Sequence, residues 1–236
     1  MTTHSPAFES LEQMADATAA GLAQSAAGAA FQLFGEKQFR RLAGFEQLSQ
    51  VDQDRIFNEL VVAFLVLIML LLEAPDVRAA REFRDYLAGL NKAIPKAYVN
   101  HLRSLGVEAN HLRDWEKLID MRYEEYARDR HDVRAAAMQL ESAEKSLDLD
   151  DLSKIQMLVP VQAVAIGCHH HICRGKTAGR DDLFKLTLRS LSMFYVELRV
   201  GFEGGKITPL TRARVALKRV LRRIGGRNLR AHLILL

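Results

Sequence analysis

The stretch Gly167–Cys173, GCHHHIC, gathers the residues of this chain best suited to chemistry, three histidines between two cysteines. Imidazole nitrogen and thiolate sulfur are common ligands of zinc, of other transition metals and of haem iron. On a helix, Cys168 and His171 fall at i and i+3, and His169 and Cys173 at i and i+4, so each pair shares a face. A metal reading takes Cys168, His169, His171 and Cys173 as ligands of a transition metal or haem. Structural zinc needs four ligands meeting at one point, and one helix face supplies two. The others would have to come from His101, His111, His131 or a carboxylate. A simpler reading needs no ion: helix C-termini carry partial negative charge, and the histidines are followed by Arg174 and Lys176. Cys168 then extends the apolar stripe of Val161 and Ala165 as a small hydrophobe.

A second set lies on the long helix expected over about 111–143. Its stripe of Leu112, Trp115, Ile119, Tyr126, Val133, Ala137 and Leu140 also carries Arg122 and Arg130. A guanidinium directed inward keeps its proton and must find acceptors. Glu59 and Glu73, at the two ends of the most apolar run, are the candidates for an internal ion pair. The alternative is a pocket for a small anionic ligand, lined by Arg122, Arg130, Glu59 and Tyr126.

The third set is the C-terminal segment. Nine of the 33 Lys and Arg residues and none of the 29 Asp and Glu lie in residues 204–236, so residues 1–203 hold 24 and 29, a balance of −5. The formal net charge of +4 hides this segregation. On a helical wheel, Leu210, Ala213, Leu217, Val220, Leu221 and Ile224 make one narrow face. Arg212, Lys218, Arg219, Arg222 and Arg223 fill the other, with Arg214 on the boundary. Arg227 and Arg230 follow, and the sequence ends in apolar residues. Such a pattern suits an anionic membrane surface, an acidic protein or, less well, nucleic acid. The segment has no aromatic residue on which a base could stack.

Other motifs fall short of a chemistry. GFEGGKIT, Gly201–Thr208, has too short a gap before Gly205-Lys206, and Ile207 where a phosphate loop needs Ser or Thr. Glu108 and His111 match one half of a helical di-iron motif that has no second copy in the chain. Two cysteines five apart read as free thiols of a reducing cytoplasm, and the acid-containing N-terminus does not read as a secretory signal. The expectation is a non-enzymatic cytoplasmic protein, peripheral to a membrane where it meets one, with homo-oligomerisation left open.

The elements that must position these residues are helical throughout. Leu60–Leu72 is an unbroken apolar run of roughly 20 Å at helical rise, short of a ~30 Å bilayer core, and is expected as a helix buried on all sides, about residues 50–73. Caps are expected at Ser5 (with Pro6), Ser49, Asp76, Asn110, Asp148, Asp181 and Thr208. Gly35, Gly175 and Gly201 are read as stops, Pro95 as a break and Pro160 as a kink. The small residues Ala17, Gly21, Ser25, Gly28 and Ala29 are read as the place where another helix comes close. The fold class is therefore all-α, a single helical bundle of about eight helices around one very apolar helix. Residues 1–205 form the bundle, and residues 206–236 form a basic amphipathic helix with an apolar tail, packed on the same domain.

Overall fold

In a computed structural model of the chain, residues 10–74, 84–144 and 148–202 are described. They form seven α-helices: α1 Leu11–Gly35, α2 Lys37–Ala43, α3 Gln50–Leu72, α4 Arg84–Ser104, α5 Ala109–Glu144, α6 Leu149–Ile172 and α7 Asp181–Phe202. A 3-10 turn, Phe45–Gln47, follows α2. There is no strand among the described residues, and the all-α bundle expected from the sequence is the fold. The caps expected at Ser5, Asp76 and Thr208 and the basic segment 206–236 all lie outside the described residues.

The bundle is organised around α3. Every residue from Leu60 to Leu72 is buried, enclosed by α1, α4, α5, α6 and α7. No polar stripe interrupts this helix, so all of its faces must be covered, and each fully buried Leu, Ile, Val or Phe contributes ~1.5–3 kcal/mol. At 23 residues, α3 is by length and composition long and apolar enough to cross a membrane, and 83% of its most apolar window is buried inside the bundle. The helix extends beyond the apolar run because Ser49 caps it eleven residues before Leu60. Ser49 Oγ accepts from Asp52 N–H at 3.2 Å and donates to the Asp52 carboxylate at 2.9 Å, which satisfies an otherwise orphaned backbone donor.

α1 packs chiefly on α4 and α3 through Ala15, Ala19, Ala23, Ala26 and Ala30. Among the described helices the approach is not made at the small residues expected for it: Ala17, Gly21, Ser25 and Gly28 lie on the exposed side of α1. A heptad-like row of alanines allows close approach without glycine, and the spacing of the two rows differs only by a rotation of the helix.

Four boundaries also differ from expectation, the first being that α7 runs through Gly201, read as a stop, to Phe202. α4 runs unbroken through Pro95. The proline forfeits one backbone bond, but Leu90, Ile94, Tyr98 and Val99 are buried on both sides of it and hold one continuous axis. α5 begins before Asn110, with Glu108 O accepting from Leu112 N–H at 3.1 Å. α7 begins with Arg180 O accepting from Phe184 N–H at 3.1 Å, which places Asp181 in the first turn. Asp148 does cap α6, accepting from Asp151 N–H at 2.8 Å. α6 continues through Pro160 and stops where Arg174 and Gly175 turn left-handed, at φ 50° and 76°.

Candidate functional site

The end of α6 is where the chemistry-bearing residues collect, and the helix sorts them by face. Cys168 and His171 share one side, as their spacing predicts, and turn toward α3 and α5. Cys168 Sγ lies 3.9 Å from the carbonyl oxygen of Glu59. His171 Nε2 lies 2.8 and 3.0 Å from the two carboxylate oxygens of Glu125. His169 and Cys173 share the side toward α7. The His169 ring packs on Phe184 at 5.4 Å between centroids, and Cys173 is buried near Arg180. His170 is exposed. The four expected ligands thus divide between two neighbours, and among the described residues no three His, Cys, Asp or Glu side chains converge as a metal site.

Burial explains the electrostatics of these groups. It pushes the thiols of Cys168 and Cys173 upward, away from the thiolate. It pulls the His169 imidazole below its ordinary value, against a backbone hydrogen bond at Arg180 that opposes the shift. His169 Nε2 has no hydrogen-bond partner.

On the α3–α5 side, four side chains form a hydrogen-bonded line. Glu59 accepts from Arg122 Nε at 2.9 Å and from Arg122 Nη2 at 2.7 Å. Arg122 Nη1 donates to Glu125 at 3.1 Å, and Glu125 faces His171. An ionised carboxylate only accepts, so Nε2 of His171 carries the proton in this arrangement. Burial disfavours the charged guanidinium of Arg122, but its hydrogen bonds to Glu59 and the Glu59 charge outweigh that, and its pKa is raised. Beside this line the Tyr126 hydroxyl is fully buried without a hydrogen-bond partner, and burial raises its pKa well above the ordinary value.

The expected second acceptor is also in place. Glu73, at the end of α3, accepts from Arg130 Nη2 at 3.4 Å and from Asn91 Nδ2 at 3.2 Å. It also accepts from the Tyr123 hydroxyl. Burial first, and that hydrogen bond second, push the Tyr123 phenol up to about 12. The protein itself therefore supplies the acceptors of both inward arginines. Two clefts are present among the described residues, and the second opens beside the Glu73 cluster. One of about 600 Å³ separates α1 from α7, with Gly28 and Phe194 among its lining residues. One of about 1170 Å³ lies at the end of α3, between α4 and α5, with Asn91 and Tyr123 among its lining residues.

Several partners were not anticipated from the sequence. Arg55 Nη1 donates to His171 O at 2.7 Å and Nη2 to Ile172 O at 3.2 Å, so a guanidinium from α3 caps the last carbonyls of α6. Arg174 reaches Asp52 at 2.5 Å. Glu125 carried one usable signal, its place three residues after Arg122 on the same face. Arg55 carried none, because helix capping by a residue more than a hundred positions away leaves no local pattern. The arrangement clips the C-terminus of α6 to both α3 and α5. No protein-family model, no curated protein and no solved structure matches this chain.

Proposed function

We propose that this chain is a helical interaction protein whose basic C-terminal segment, residues 206–236, docks on an anionic surface, in the first place an anionic membrane. The observation that carries the reading is the charge segregation: nine basic residues and no acid after Glu203, on a body with a balance of −5. Basic side chains near an anionic leaflet contribute about 1 kcal/mol each, and the leucine face adds apolar burial in the headgroup region. The mechanism is attraction at a distance followed by shallow insertion. An acidic protein would meet the same charges, and the apolar end of the sequence favours the membrane as the first surface to test.

The test is co-sedimentation with vesicles containing phosphatidylglycerol. The full chain is expected in the pellet, and a chain lacking residues 207–236 in the supernatant. Equal binding by both would overturn the reading, and binding to an acidic protein but to no vesicle would move it to a protein partner.

A further inference from the structure

We propose that the cleft between α1 and α7 receives the leucine face of residues 209–224 of the same chain, so that docking on the anionic surface must first displace it. The proposal rests on the membrane-docking reading above and adds what holds the segment in the free protein.

The cleft measures about 600 Å³, and its walls are mostly apolar, with Leu22 and Ala29 from α1 and Phe194 and Leu198 from α7, while Gln32 and Glu197 are its long polar side chains. Nothing in the described protein fills the α1 wall, because a Cβ built on Gly28 would meet no atom within 4 Å. Phe202, a large apolar side chain of its lining, keeps 36% of its surface exposed. Soluble proteins seldom leave such a surface open without an occupant.

The position of the chain names the occupant. Phe202 lines the cleft itself, and residues 203–236 follow it directly. Six residues, 203–208, separate it from Pro209; extended, they reach ~20 Å. A tether that short holds its attached segment at roughly millimolar local concentration. The segment presents Leu210, Ala213, Leu217, Val220, Leu221 and Ile224 at helical spacing, and so offers the apolar face that the cleft lacks. Its basic residues fall on the opposite side and stay in water. One leucine face cannot enter both the cleft and a bilayer, so the apparent affinity for the surface falls by the fraction of chains with the segment released.

The experiment is limited trypsin digestion of the full chain without lipid, followed by vesicle binding. Arg212, Arg214, Lys218, Arg219, Arg222 and Arg223 are the reporter sites. Gly28→Trp fills the cleft from an exposed helix position, and Ser25→Trp does so one turn earlier. Both variants should cut at these sites about tenfold faster than wild type, because proteolysis follows the population of the released segment. Both should also bind vesicles several-fold more tightly, with helix content unchanged. Equal cleavage in all three proteins would overturn the cleft contact. Protection in the wild type that disappears on dilution would also overturn it and assign the cleft to a second copy of the chain. Digestion needs no lipid, so faster cutting without vesicle binding would defeat the membrane reading and leave the cleft contact standing.

Discussion

Glu59 in α3 takes two hydrogen bonds from Arg122 in α5, at 2.9 Å from Nε and 2.7 Å from Nη2, where little of either side chain meets solvent. Removing one member of such a pair leaves the other charge buried without its partner. Glu59→Gln and Arg122→Met should each cost on the order of 3 kcal/mol in urea unfolding. The double replacement Glu59→Leu with Arg122→Met should cost less than either, because neither member of the pair is then stranded and Glu125, which also loses Arg122, keeps His171 and contact with solvent. Additive losses in the double variant would contradict the pairing.

Gly167 faces the ring of Tyr126. A Cβ on Gly167 would lie 2.6 Å from Cδ1 and closer still to Cε1. Gly167→Ala should therefore destabilise by about 1–3 kcal/mol, despite the better helix propensity of alanine. Tyr126→Phe should be neutral or slightly stabilising, since it removes a buried hydroxyl that has no partner. Chemical denaturation of the two variants side by side checks both signs.

How much of this was legible beforehand depended on whether the cause was local. The caps at Ser49 and Asp148 and the stop at Gly175 are dictated within four residues, and each stands where the sequence placed it. The pairing of inward arginines with Glu59 and Glu73 followed from charge accounting, because a buried guanidinium has few acceptors to choose from. Which side of α1 meets α3 and α4 was not legible, because alanine and glycine rows look alike by size and only the partner helix decides between them. Continuity through Pro95 was misread because tertiary packing outweighed a local penalty. The Arg55 cap on α6 joins residues 116 and 117 positions apart, and nothing in either local sequence announces it.

The thiols should be inert in the folded protein. Burial holds both Cys168 and Cys173 in the protonated form, and thiolate is the reactive species. Titration with an aromatic disulfide reagent should release no thiol equivalents promptly under native conditions and two in guanidinium. Rapid native labelling of Cys168 would contradict its placement against Glu59.

Acid should weaken the fold through His169. Its folded pKa lies below the ordinary 6.5 because burial disfavours the imidazolium. As pH falls through 6.5, the unfolded chain takes up a proton that the folded chain declines, so this contribution to stability is present above that value and lost below it. His169→Gln should lose less Tm than wild type between about pH 7.5 and about pH 5.5. Equal losses in the two proteins would remove His169 as a cause.

The central claim concerns the basic segment, and its most direct test is salt. Binding of the full chain to mixed phosphatidylcholine–phosphatidylglycerol vesicles should be strong at about 50 mM salt, largely lost at about 300 mM, and absent on pure phosphatidylcholine. Binding that ignores both salt and lipid charge, or no binding under any of these conditions, would contradict the account.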